Sequence, residues 1–250
     1  MPQSNHQITR LPNYQMPRLS SVLLSGGLDS AVLLADEAAQ FDVQPIYVSV
    51  GLAWEAAERD VVKGLLAAPL FRRVRPVVTL AVEMLDVYAA THWAVQGQPP
   101  AYHTPDEDVY LPGRNIVLLA KAGVFCAGAG IRRIVLGTLG HNPFPDATPE
   151  FRAAMARALQ LGLAHDLDVE APYAALSKTE IVRRGAALGV PFELTMSCMG
   201  AGGREPDIDG PTPVPRHCGA CSKCRVRHDA FVEAGIDDPT MYADRSFVGG

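Results

Sequence analysis

Two clusters of residues in this chain have types and spacings suited to chemistry. The first is Ser25-Gly26-Gly27-Leu28-Asp29-Ser30, which lies between the apolar run at 21–24 and an apolar-periodic run that follows it. The second is Cys198, Cys218, Cys221 and Cys224, four thiols within 27 residues. A strand that enters a helix through glycines makes an anion site. The first helical N–H groups have no intrahelical acceptor, and the helix dipole adds about half a positive charge there. Glycine lets an anion approach the backbone, and serine hydroxyls add donors. Neither the G-x-x-x-x-G-K-[ST] pattern nor the dinucleotide G-x-G-x-x-G occurs here, which argues against an NTPase that cleaves the γ-phosphate.

Four cysteines in a chain whose start lacks a secretory h-region point to metal rather than disulfides. Zn²⁺ takes four thiolates tetrahedrally in closed structural sites, and such sites contribute on the order of 10 kcal/mol to folding. Lys223, Arg225 and Arg227 lie beside the last two cysteines and can offset the charge of a Cys₄ site. Two alternatives stay open at this level: His217 in place of one cysteine, and an iron–sulfur cluster on the C-x-x-C-x-x-C run. Catalytic disulfide chemistry has no βαβ redox context around it.

These residues need elements to position them. Apolar runs at 19–24, 43–50, 73–82 and 131–137 read as strands, and their near-continuous apolar character suits a parallel sheet covered on both faces. Helical patterns fill 29–41, 53–67 and 112–130. The alternation predicts an α/β, doubly wound, mostly parallel sheet with a C-terminal helical zinc-binding segment. Thr148-Pro149 starts a helix over 148–163, and Ser177 and Glu180 stand in capping-box spacing before a helix that stops at Gly189. Glu55 and Glu58 read as the polar face of a helix. Residues 94–111 and 200–217 are rich in Gly, Pro and Asp and read as long loops of the lid or binding type. The expected organisation is a polar lead-in over 1–18, an α/β domain carrying the anion-binding turn over 19–195, and a zinc-binding segment with tail over 196–250. A length of 250 residues supports one sizeable core. A net charge of −5 suggests no broad polyanion surface, so no nucleic-acid partner is expected. No run of about 18 apolar residues occurs, so no membrane span is expected, and the expected location is cytoplasmic.

Ser-Gly-Gly-Leu-Asp-Ser resembles the PP-loop of the ATP pyrophosphatases, which cleave ATP between its α- and β-phosphates. The PP-loop followed by Cys-x19-Cys-x2-Cys-x2-Cys narrows the resemblance to the 7-cyano-7-deazaguanine synthase family. "VYLPGRNIVLLAKA" (109–122), "PFPDATPEF" (143–151), "APYAALSKTEIVRRGAALGVPFELTMSC" (171–198) and "CGACSKCRVRHDAFVEAGIDDP" (218–239) are similar to further segments of that family. The similarity runs from about residue 19 to 239. Two segments depart from it: "VSVGLAWEAAERD" stands where the family has Asp-Tyr-Gly-Gln-Arg-His, and "GTLGHNPFPDA" keeps Asp146 but carries Ala147 in place of a cysteine.

The resemblance implies that Ser25, Gly26, Gly27, Leu28 and Ser30 hold the pyrophosphate of ATP, and that Asp29 positions Mg²⁺ or the α-phosphate region. It implies adenylation of a small-molecule carboxylate, 7-carboxy-7-deazaguanine, attack by ammonia to give the amide, and a second ATP-driven step to the nitrile. It also implies a homodimer. Arg114 and Asn115 open a helix and suit a nucleotide or substrate contact. Lys178, in a helix first turn where a cation does not help the dipole, suits phosphate. Asp146 suits Mg²⁺ or a base-edge N–H, and His141 adjoins it. Competing expectations are a related ligase acting on a different carboxylate, a nucleotide-binding zinc protein without chemistry that acts through a partner, and tRNA thiolation, for which the acidic composition gives no support.

Overall fold

A computed structural model describes residues 18–140, 142–200 and 214–246. Among these residues, β1 (Leu19–Leu23), β2 (Asp42–Ser49), β3 (Val78–Ala81), β4 (Arg133–Val135) and β5 (Asp168–Glu170) form one sheet in the order β3-β2-β1-β4-β5. Every neighbouring pair is parallel. α1 (Leu28–Ala38), α2 (Glu55–Ala67), α3 (Trp93–Gln96), α4 (Arg114–Ala129), α5 (Pro149–Leu163), α6 (Lys178–Leu188) and α7 (Ser222–Ala234) connect and follow the strands. A small parallel pair, β6 (Arg216–His217) and β7 (Met241–Tyr242), flanks α7.

The sheet is covered on both faces, as its apolar strands predict. On one face Val22, Val43 and Tyr47 pack against α1, α2, α6 and α7 through Val32, Leu65, Ile181 and Phe231. On the other, Ile46, Val48 and Ile134 pack against α4 and α5 through Leu119, Cys126 and Leu159. The helix starts follow their local chemistry. Thr148 accepts from the Phe151 N–H, and Ser177 and Glu180 close a reciprocal capping box.

Two expectations about strands change. The run at 73–82 is a strand only over Val78–Ala81. Pro76 has no N–H for a ladder, and Arg75 turns aside to pair with Asp42. β5 has no signal in the sequence, because it is three residues long with its two ends exposed. It pairs with β4 as an edge strand.

Two glycines test how tightly α6 and α4 are placed. A Cβ at Gly185 would lie 2.6 Å from both Phe192 Cζ and Val32 Cγ2, whereas a Cβ at Gly128 meets nothing within 4 Å. Gly185→Ala should therefore destabilise by about 1–3 kcal/mol despite the better helix propensity of alanine. Gly128→Ala should stabilise by up to about 1 kcal/mol. Urea unfolding midpoints that move in the same direction for both would contradict this packing.

Candidate active site

The carboxyl ends of β1, β2 and β4 open into a cavity of about 290 Å³. β1 has β2 on one side and β4 on the other, with the connecting helices on opposite faces. This is the switch point at which open α/β sheets take ligands. The chain leaves β1 into the Ser25–Ser30 turn. Gly26 has φ +75°, and a Cβ there would stand 2.9 Å from Val61 Cγ1 of α2, so the turn needs glycine. Gly27 occupies the N-cap of α1, where it has no side chain to cap the helix. The Ser25 and Ser30 hydroxyls lie 3.3 Å apart. Ser30 Oγ donates to the Gly27 carbonyl at 2.9 Å, and the Gly27 N–H donates to Ser25 Oγ at 3.3 Å. The result is a compact turn with two adjacent hydroxyls at a helix N-terminus that has no side-chain cap.

Lys178 is the first residue of α6, and its Nζ lies 2.6 and 2.7 Å from the two oxygens of Asp29. The packing of α6 on α1 brings this pair together across 149 residues of sequence. Both side chains stay partly exposed, at 19% and 28%. Arg114, the first residue of α4, lines the cavity, and its Nε is buried with no hydrogen-bond partner among the described residues. Asp146 fastens the start of α4. It accepts from the Asn115 N–H at 3.1 Å through Oδ2 and from Asn115 Nδ2 at 3.3 Å through Oδ1. Burial raises the Asp146 carboxyl above the usual carboxylate range, against these hydrogen bonds. Tyr110 and Phe144 stack at the cavity wall with centroids 5.1 Å apart.

Ser25, Gly27, Asp29, Ser30, Arg114, Asn115 and Asp146 therefore share one cavity. Gly26 and Leu28 shape the turn behind it, and Lys178 reaches it through Asp29. His141 lies outside the described residues.

Glu55 and Glu58 are not a solvated face: they are 3% and 9% exposed. Glu55 turns back onto the end of β2, accepting from Ser49 Oγ at 2.5 Å and from the Val50 N–H at 2.9 Å. Glu58 lines the cavity and accepts from the Tyr47 hydroxyl at 3.0 Å. Burial pushes its carboxyl up to about 6, with Arg114 and the Tyr47 bond acting against that rise. The signal was present in the spacing: Glu58, Val61, Val62 and Leu65 stand at i, i+3, i+4 and i+7, all on the buried face. In the departing segment, Leu52 and Trp54 are buried, and Trp54 stacks on Trp93 at 5.6 Å.

The four cysteines meet. Their Sγ atoms all lie within 4.8 Å of one another. Cys218 and Cys224 are 3.8 Å apart, and Cys221 and Cys224 are 3.4 Å apart. A tetrahedron of four thiolates about 2.3 Å from one ion has edges of about 3.8 Å. The donor set and its span therefore fit Zn²⁺. A cubane cluster would interpose iron and sulfide and spread the cysteines further. His217 does not join them: its Nε2 accepts from the Ser197 N–H at 2.9 Å, and burial lowers its pKa to about 3.

Lys223, Arg225 and Arg227 each make specific contacts beyond the expected charge compensation. Lys223 bonds Asp106 at 2.8 Å, and Arg225 Nε donates to the Tyr102 carbonyl at 2.7 Å. The fully buried Arg227 holds Thr240, Thr195 and the Phe192 carbonyl. The Ser222 N–H also donates to the Pro100 carbonyl, and Ala101 pairs with Cys221. The loop expected at 94–111 is thus docked on the cysteine lobe, and its end carries Tyr110 and Leu111 into the cavity wall.

The family model described as "Queuosine biosynthesis protein QueC" matches residues 20–235 of this chain. The 7-cyano-7-deazaguanine synthase of Azoarcus sp. (strain BH72) is 34% identical over 237 residues, covering 92% of this chain and 99% of that protein. The protein of the same name from Methanoculleus marisnigri is 33% identical over 233 residues, covering 88% and 96%. Among solved structures, NMN synthetase from Francisella tularensis matches at TM-score 0.41 and 13% identity, covering 90% of this chain and 80% of that one.

The cysteine geometry predicts about one zinc per chain by elemental analysis. Cys221→Ala should lose the metal and several kcal/mol of stability, or about 10 °C or more in Tm at 2–4 °C per kcal/mol. Hydrogen exchange over 99–106 should quicken in the same variant. Iron in place of zinc, or an unchanged Tm in metal-free protein, would contradict the assignment.

Proposed function

The chain belongs to the family of the queuosine biosynthesis protein QueC, and on that premise we propose that it is an ATP-dependent ligase that converts 7-carboxy-7-deazaguanine and ammonia to 7-cyano-7-deazaguanine. The observation that carries this reading is the uncapped α1 N-terminus with its paired hydroxyls, opening into the switch-point cavity beside Lys178 and Asp29.

A carboxylate is a poor electrophile. Its attack on the α-phosphorus of ATP expels pyrophosphate and gives an acyl-adenylate, whose AMP is a good leaving group. The protein's task is to align two anions and offset their charge. In this reading Ser25, Gly26, Gly27, Leu28 and Ser30 receive the pyrophosphate on N–H and hydroxyl donors. Lys178 carries positive charge to the α-phosphate region. Asp29 is suited to Mg²⁺, because carboxylate oxygens are hard ligands and keep lone pairs beyond their bonds to Lys178. Bound there, Mg²⁺ supplies charge neutralisation among the phosphates. Arg114 offers its buried Nε–H to an acceptor on the substrate, while Asn115 and Asp146 hold the start of α4 that aims it. Ammonia then displaces AMP to give the amide. A second ATP activates the amide oxygen, and loss of AMP leaves the nitrile. The four cysteines hold Zn²⁺ for structure and take no part in these steps.

We infer a homodimer from the resemblance, supported by Ile116 and Val124, exposed apolar side chains eight residues apart on α4. Five cysteines without a disulfide, four of them gathered as metal ligands, support a reducing, cytoplasmic setting.

Protein incubated with ATP, Mg²⁺, ammonium and 7-carboxy-7-deazaguanine should yield the nitrile with two AMP and two pyrophosphate for each, by mass spectrometry. AMP formed only with a different acid would overturn the substrate assignment, and no AMP with any acid would overturn the ligase. Asp29→Ala should abolish AMP formation while circular dichroism and zinc content stay unchanged. Lys178→Met should lower kcat by about 100-fold or more.

A further inference from the structure

We propose that Glu58 is the general base of the reaction, taking the proton released as ammonia becomes the amide and the N–H protons released as the amide becomes the nitrile. This assignment rests on the ligase reading above. Among the described residues, three carboxylates line the cavity: Asp29, Glu58 and Asp146. Asp29 has Lys178 on both oxygens. Asp146 has Asn115 on both oxygens and fixes α4. Glu58 has no ion-pair partner among the described residues; it accepts from the Tyr47 hydroxyl at 3.0 Å, and the Trp54 side chain also favours its carboxylate. Its segment of α2 packs behind the turn, with the Glu58 backbone carbonyl 3.4 Å from where a Cβ on Gly26 would sit, and its side chain lines the cavity.

The charged and titratable groups around Glu58 come from three elements. Tyr47 faces it from β2, Arg114 from α4, and Glu55 from its own helix, where Trp54 also adjoins it. Desolvation dominates and pushes the carboxyl up to about 6, with Arg114 and Tyr47 lowering it and Glu55 raising it. A base in that range takes a proton from an acidic nitrogen at neutral pH and returns it to water.

Adenylation needs no such group, because the carboxylate substrate is already a nucleophile. Acyl transfer does. The nitrogen lone pair forms the C–N bond, the acyl C–O bond breaks with its electron pair leaving on AMP, and the surplus proton on nitrogen passes to Glu58. In the second half, the amide oxygen bonds the α-phosphorus of another ATP and pyrophosphate leaves. Two N–H protons are then lost, the C–O bond breaks with its pair leaving on AMP, and the C≡N bond forms. Glu58 takes these protons one at a time, releasing the first before the second.

Glu58→Gln keeps the shape and can still accept from Tyr47. It should retain substrate-dependent ATP–pyrophosphate exchange at the wild-type rate, while nitrile formation falls by about 100-fold or more. Hydroxylamine, a stronger nucleophile that is largely uncharged at neutral pH, should restore acyl transfer in the variant as the hydroxamate. At a fixed concentration of free ammonia, wild-type nitrile formation should fall below a pH near the Glu58 value of about 6, because the protonated carboxyl is no longer a base, and Glu58→Gln should lack that limb. Tyr47→Phe, which removes a bond that favours the carboxylate, should move the limb to higher pH. Nitrile formation at the wild-type rate in Glu58→Gln, a retained limb, or exchange lost in parallel with the nitrile would overturn the assignment. No exchange in the wild type with this acid would overturn the ligase reading and the assignment with it.

Discussion

The first turn of α1 has no side-chain cap, and the cavity is organised around that vacancy of partners. A buried helix end without acceptors is costly, so the fold keeps this one at an opening and surrounds it with groups suited to an anion. The left-handed turn at Gly26 lets α2 press directly on the loop, and this contact delivers Glu58 to the wall. The packing of α6 on α1 delivers Lys178 to Asp29. The start of α4, fixed by Asp146, delivers Arg114. Each group arrives on the end of a regular element, which positions it more tightly than a free loop would.

The cysteine lobe extends the same logic to the cavity's remaining wall. Residues 99–106 have little core of their own, and the start of α7 holds them through Pro100, Ala101, Tyr102 and Asp106. The loop then rises to Tyr110 and its stack with Phe144. Arg227 binds the segment after α6 to the segment before β7, so the metal-binding region is joined to the α/β layer at several points. A metal held by these cysteines would thereby help shape the site without taking part in bond-making.

Much of this was legible in the sequence. The glycine-rich turn, the four cysteines and the caps of α5 and α6 are local patterns with local causes, and each stands where its pattern put it. The failures have physical reasons. β5 is too short for a period to be visible and owes its existence to pairing with β4. Glu55 and Glu58 looked solvated because acidic residues on helices usually are, yet Glu58 shares the face of Val61, Val62 and Leu65. His217 looked like a possible ligand by proximity in sequence, but its ring is turned to the Ser197 N–H. The docking of 94–111 on the cysteine lobe depends on partners more than a hundred residues away, such as Asp106 with Lys223, which no local pattern reports.

In the proposed reaction this cavity activates a carboxylate, and then its amide, by transferring the oxygen to the α-phosphorus of ATP. The most direct measurement follows both carboxylate oxygens of 7-carboxy-7-deazaguanine labelled with ¹⁸O. One ¹⁸O is expected in each of the two AMP molecules released per nitrile and none in pyrophosphate. Nitrile formed with unlabelled AMP, or label recovered in inorganic phosphate or pyrophosphate, would contradict it.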